Sequence, residues 1–233
     1  MSRRLAILVE MGLAPVWRLR RRPPRQNLEP QPQTDPQPAP VSREEGIRSL
    51  QWPELRTRVS GCTDCRLRAG CKQTVFGVGD ERASWMLVGE APGAEEDRLG
   101  EPFVGQAGKL LDNMLAALDL ARGKDVYIAN VLKCRPPGNR DPQPDEVAQC
   151  APFLARQIAL IRPRLIVAMG RFAAQTLLDT EAAIARLRGA VHRHAGVPLI
   201  VTYHPAYLLR NLPDKAKAWA DLRFAARTMA GLR

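Results

Sequence analysis

Long apolar runs are absent from this chain. No stretch reaches the 18 or so consecutive apolar residues that a membrane-spanning helix needs. Histidine is scarce, at three residues (His192, His194 and His204), so imidazole chemistry has few places to reside. The five cysteines are an odd number, and the chain is too long to need a disulfide framework. A reduced, cytoplasmic protein whose cysteines serve a metal is the better reading. Acidic residues are also short: 24 Asp and Glu face 35 Lys and Arg, for a formal charge of +11 and a pI near 10.1. Such an excess suits a polyanionic partner, nucleic acid first, because binding releases condensed counterions.

That charge is unevenly spread. Seven arginines within residues 1–26 stand against Glu10 alone, so this short piece carries +6 and the rest of the chain +5. The segment Leu5–Trp17 imitates a signal peptide, but Glu10 interrupts it and arginines follow where small residues should mark a cleavage site. Residues 1–22 therefore read as an apolar segment capped by arginines, suited to a protein partner or to DNA. Residues 23–42 are rich in Pro and Gln, cannot repay their ordering entropy, and read as a disordered linker. Two zones follow, a basic arm with its linker over 1–42 and a folded domain over 43–233.

Within 233 residues, 45% hydrophobic, the domain part has ample material for a core. Compact apolar runs at Trp85–Val88, Val126–Val131, Leu165–Met169 and Leu199–Tyr203 read as strands covered on both faces. Helical patterns near 106–120, 144–161, 171–179 and 214–229 alternate with them. The alternation predicts an α/β fold, a parallel sheet with helices on both faces. Ligands of such sheets bind beyond the carboxyl ends of the strands.

Three unusual segments follow those strands. Gly89-Glu90-Ala91-Pro92-Gly93-Ala94-Glu95-Glu96-Asp97 builds a rigid turn bearing carboxylates, and Gly100–Gly108 sets Phe103 among glycines. Phe103 suits stacking on a flat ligand, its plain alternative being core packing. Asn130, inside an apolar strand, needs partners for both halves of its amide. A carboxamide can donate to one carbonyl and accept from one imide N–H, which matches the O4 and N3–H edge of uracil and mismatches cytosine. Satisfaction by a neighbouring loop is the bland alternative. His204-Pro205-Ala206-Tyr207-Leu208-Leu209-Arg210 places an imidazole at a strand end before an apolar wedge and a cation, suited to opening a duplex step and gripping a phosphate. Here the alternative is a helix start with core leucines. Cys62 and Cys65 form a C-x2-C pair that Cys134 and Cys150 can complete. Four thiolates hold zinc or an iron–sulfur cluster, and spacing chooses neither, nor does it bar Cys71 from the set.

Together, GEAPGAEED (89–97), GEPFVGQAGKLLD (100–112), YIANVLKCRPPGNRDP (127–142) and HPAYLLR (204–210), in this order and with four suitable cysteines, resemble the family 4 (iron–sulfur) uracil-DNA glycosylases over about Cys62–Leu222. The resemblance implies a three-layer α/β/α sandwich around a short four-stranded parallel sheet. It implies a [4Fe-4S] cluster on Cys62, Cys65, Cys134 and Cys150, with Cys71 outside. Uracil would sit among Glu90, Ala91, Phe103 and Asn130, with His204 over O2, and Leu208 and Arg210 would contact DNA. The implied function is that of a monomeric DNA repair hydrolase that flips uracil out of DNA and cleaves its N-glycosidic bond. A sister family carries Asp where this chain has Ala91, which leaves water activation to another group; Glu96 is the candidate beside His204. A branch that traps the sugar covalently carries a basic, His-bearing insertion after the Phe103 segment. Here Ala107-Gly108 runs straight into the helix, so turnover is expected. The competing function is a non-catalytic nucleic-acid module associated with a polymerase.

Overall fold

A computed structural model describes residues 3–13 and 42–232. They fall in two compact units, one within 1–40 and one from 41 onward. The first contains helix α1 (Arg3–Glu10), which buries none of its residues. The arginine cluster after it and nearly all of the expected linker over 23–42 lie outside the described residues. No helix among the described residues is long and apolar enough to cross a membrane.

The second unit is built on a sheet in the order β1 (Val78–Gly79), β3 (Val126–Asn130), β2 (Trp85–Gly89), β4 (Leu165–Met169), β6 (Val197–Thr202), β5 (His192–His194). The four inner strands are parallel, as expected from their unbroken apolar runs. The edges correct the expected count of four: β1 and β5 are two short antiparallel additions, giving six. Neither shows an apolar pattern; β5 reads His-Arg-His and pairs because a tight turn folds it back on β6.

Alternation along each strand sorts the core into two layers. Met86, Val88, Tyr127, Ala129, Ile166, Ala168, Leu199 and Val201 face one side, covered by α4 (Leu67–Gly70), α7 (Pro144–Ile161), α8 (Arg171–Leu178) and α9 (Ile184–Leu187). Leu87, Val126, Ile128, Leu165, Val167, Met169 and Ile200 face the other, covered by α6 (Gln106–Ala116) and α11 (Lys215–Gly231). Helices α2 (Arg43–Ser49) and α3 (Trp52–Ser60) pack Ile47, Leu55 and Val59 on Phe153 of α7. Two short helices, α5 (Ala94–Leu99) and α10 (Pro205–Arg210), open directly beyond β2 and β6. The chain leaves β2 for β3 over one face and returns to β4 over the other. This reversal opens a crevice at the carboxyl ends of the inner strands.

Candidate functional site

A cleft of about 730 Å³ occupies that crevice. The strand tips deliver its walls: Glu90 and Ala91 after β2, Asn130 at the end of β3, Gly170 and Arg171 after β4, His204 after β6. Glu96, Phe103, Tyr207 and Arg210 line it too. The twelve residues of the sequence reading divide: Glu90, Ala91, Glu96, Phe103, Asn130, His204 and Arg210 converge on this cleft, the four cysteines gather elsewhere, and Leu208 lines neither pocket.

Asn130 is 2 % exposed, and its Oδ1 is buried without a hydrogen-bond partner. The plain alternative, an amide satisfied by a neighbouring loop, is therefore absent. A buried acceptor without a donor is costly unless a guest supplies one. A Cβ on Gly89 would lie 2.5 Å from that Oδ1 and 2.6 Å from Phe103 Cζ, so the bare glycine is what leaves room beside both groups.

Phe103 holds a left-handed backbone conformation (φ 55°), strained for an aromatic residue. Arg122 clamps the loop by donating to the Pro102 and Phe103 carbonyls, both at 2.7 Å, while pairing with Asp112. Gly108 lets α6 approach: a Cβ there would sit 1.7 Å from the Phe103 carbonyl oxygen. The Phe103 ring then lies 5.4 Å from the His204 ring, tilted by 31°.

His204 is fixed by its position as the N-cap of α10, where Nδ1 accepts from the Ala206 N–H at 3.1 Å. With Nδ1 an acceptor, the neutral ring carries its proton on Nε2. Removal from water pushes its pKa down to about 4, helped by the charge of Arg210 and opposed by Glu96. The imidazole is neutral at physiological pH and offers a donor to the cleft.

The two glutamates differ. Glu96 sits in the first turn of α5, and its carboxylate accepts from the Gly93, Val104 and Gly105 N–H groups at 3.1, 2.9 and 3.1 Å. One carboxylate thereby ties the Glu90 turn to the Phe103 loop. Glu90, half-buried, has no side-chain hydrogen bond among the described residues. Desolvation, then the charge of Asp141, raises its pKa to about 7, against the pull of Arg171. Asp141 and Arg171 pair at 2.9 Å across the cleft mouth.

Leu208 needs correction. It is 1 % exposed and packs with Tyr203 and Ala218, which is the core-leucine alternative; its neighbour Leu209 is 41 % exposed. One helical step of 100° separates them, and one faces the core while the other faces out.

Cys62, Cys65, Cys134 and Cys150 line a second pocket, between α3, α4, α7 and the segment after β3. Burial raises the Cys62, Cys134 and Cys150 thiols, Cys150 to about 11. Cys150 Sγ accepts from the Lys133 N–H at 3.2 Å. Burial also pushes Lys133 down to about 8, with Cys150 pulling it back up. Cys71 does not line this pocket; its Sγ donates to the Arg68 carbonyl at 3.7 Å, beside Cys134. Nearby, the Glu146 carboxylate takes Arg140 and Arg66, binding the loop after β3 to α7, and its pKa falls to about 2 chiefly through Arg140.

A sheet of this topology, with an aromatic plane, an unpartnered amide and a neutral imidazole at its strand tips, is an α/β/α architecture whose cleft suits a flat, hydrogen-bonding heterocycle. Comparison with known proteins narrows the class. A family model described as the uracil DNA glycosylase superfamily matches residues 76–223. The type-4 uracil-DNA glycosylase of Archaeoglobus fulgidus is 51% identical over 164 residues, covering 67% of this chain and 82% of that protein. Those of Pyrobaculum aerophilum and Thermotoga maritima are 44% and 46% identical, covering 72% and 69% of this chain and 90% and 84% of theirs. The chain belongs to the uracil-DNA glycosylase superfamily, in its type-4 branch.

Proposed function

We propose that this chain is a DNA repair hydrolase that flips uracil out of DNA and cleaves its N-glycosidic bond, leaving an abasic site. The partnerless Asn130 Oδ1, facing the same cleft as Phe103 and His204, carries the reading. That acceptor suits the N3–H of uracil, and the amide nitrogen suits O4. Cytosine presents a bare N3 and a donor amine there, and is refused. Phe103 supplies a stacking plane. The base must leave the duplex stack to reach these groups. Leu209 is suited to fill the vacated step, and Arg210 to hold a flanking phosphate.

As the bond breaks, negative charge gathers on the uracil ring and positive charge on the sugar. His204 Nε2–H donates to O2, an oxyanion-type contribution of about 3 kcal/mol. Glu96 lines the same cleft, but three backbone donors already occupy its oxygens. Glu90, lining the cleft with no side-chain partner, is the better placed base for the incoming water. The water-activating role expected of Glu96 thus passes to Glu90, and Glu96 becomes the residue that positions turn and loop.

The cysteine pocket fits a [4Fe-4S] cluster. Four thiols share one pocket, burial disfavours the free thiolates of Cys62, Cys134 and Cys150, and a metal centre supplies the compensating charge. The cluster would staple the Cys62–Cys65 segment to α7 and the β3 loop; glycosidic hydrolysis itself transfers no electrons. The catalytic unit is 43–233. We expect the unit to act as a monomer, and the exposed Leu5, Ile7 and Val9 of α1 suit a protein partner for residues 1–22.

The test is release of uracil from a labelled oligonucleotide, read as alkali-sensitive abasic product. Cleavage at uracil is expected, with Asn130→Asp relaxing or inverting the choice between uracil and cytosine. A pure preparation that binds DNA without releasing base would instead support the non-catalytic, polymerase-associated alternative.

A further inference from the structure

Lys133 is 2 % exposed, yet no anionic side chain among the described residues pairs with it. Its Nζ donates to the Asn130 carbonyl at 2.9 Å and to Gln157 Oε1 at 2.7 Å. Both acceptors are neutral. Among the described residues no carboxylate forms an ion pair with this ammonium. Gln157 is itself fixed, its Nε2 donating to the Phe76 carbonyl at 2.9 Å and reaching Tyr127 Oη at 3.3 Å. Buried cations in proteins are paired, because an isolated charge loses its hydration without compensation. The anion has to come from something these side chains surround.

The chain around Lys133 says where. Its own backbone N–H donates to Cys150 Sγ, and Cys134 is the next residue. Two of the four pocket thiols therefore flank it. Four thiolates round an iron–sulfur core leave a net negative charge, and nearby charge and burial tune such centres. We propose that Lys133 is the built-in counter-cation of the thiolate-held cluster and, through its bond to the Asn130 carbonyl, the positioning residue that joins that centre to the base-reading strand tip. The proposal rests on the cluster reading above. It explains why the ammonium tolerates a dry site between two neutral acceptors, and it makes the end of β3 depend on an occupied cysteine pocket.

The experiment compares anaerobically purified, full-length wild type, Lys133→Met and Lys133→Arg. Iron per chain and the brown visible absorption of the wild type test the cluster itself; an iron-free wild type removes that reading whatever Lys133 does. With a loaded wild type, the readout is the midpoint potential of the bound cluster, measured by voltammetry without DNA. Loss of the adjacent positive charge is expected to shift the one-electron equilibrium of Lys133→Met about tenfold toward the oxidised form, or about 59 mV lower. Lys133→Arg is expected to restore the wild-type potential. Equal potentials in Lys133→Met and wild type overturn the proposal. So does equal loss of iron from folded Lys133→Met and Lys133→Arg, since shape and not charge would then be what the site requires. Should Lys133→Met fail to fold, Gln157→Glu sets a carboxylate against the ammonium and is expected to lower the potential in the same direction; no change there is equally decisive against it.

Discussion

The environment of Glu90 makes the rate of base removal depend on pH in a way that can be worked out. Its carboxyl, with an ordinary value of 4.5, is lifted to about 7 by desolvation and by Asp141. A base must be deprotonated, so activity is lost as pH falls through 7. For a single ionisation there, about one-eleventh of the enzyme is competent at pH 6 and about ten-elevenths at pH 8, a rise of about tenfold. His204 adds no second limb, because its ring stays neutral down to about pH 4. Single-turnover cleavage of a uracil oligonucleotide, with enzyme in saturating excess and salt held constant, isolates this step from binding. Glu90→Gln is expected to flatten the profile and slow the reaction by about 10²–10⁴-fold. Fold stability runs the other way. A carboxyl whose folded-state value exceeds its free value favours the protonated form, so its contribution to stability declines as pH rises from about 4.5 past 7. Activity should therefore climb over the same interval in which thermal stability at this position falls. A wild-type profile flat from pH 5.5 to 8.5, or a limb that survives in Glu90→Gln, would refute the assignment.

Other expectations follow from single contacts. Gly108→Ala drives a Cβ to 1.7 Å from the Phe103 carbonyl, so the loop must shift, at about 1–3 kcal/mol of stability by denaturant titration and a loss of cleavage beyond tenfold; wild-type behaviour in both would disprove the close approach. Leu208→Ala should destabilise by about 2–5 kcal/mol, whereas Leu209→Ala should stay within about 0.5 kcal/mol and lower cleavage in duplex DNA more than in single strands. Glu146, its value depressed from 4.5 to about 2, gives stability that is present above pH 4.5 and lost as pH falls toward 2; Glu146→Gln should remove that part of the acid sensitivity, as melting temperatures at pH 3 and pH 7 would reveal.

The inner sheet was readable because burial on both faces demands unbroken apolar runs, and Leu165–Met169 matched to the residue. The tips were readable too, since a strand that ends in Asn130 or leads to His204 breaks its own pattern. What stayed hidden depends on long-range contact. Nothing near Arg122 in the sequence ties it to Phe103, about twenty residues earlier, and its hold on two carbonyls appears only in three dimensions. Gly108 looked like any glycine at a helix start until the backbone passing above it was in view. Paired leucines such as Leu208 and Leu209 carry no local mark of which one faces inward. Glu96 lines the cleft, but only the fold shows that backbone amides have claimed its oxygens. The edge strands β1 and β5, at two and three residues, are too short to carry a period.

The cleft draws its groups from positions 90, 103, 130 and 204, scattered over half the polypeptide and brought within reach only where the strands end side by side. A piece of the chain that lacks any one of these strand tips lacks part of the site. Turnover is therefore a census of intact molecules, and its decline on heating should track the population that has lost the native sheet.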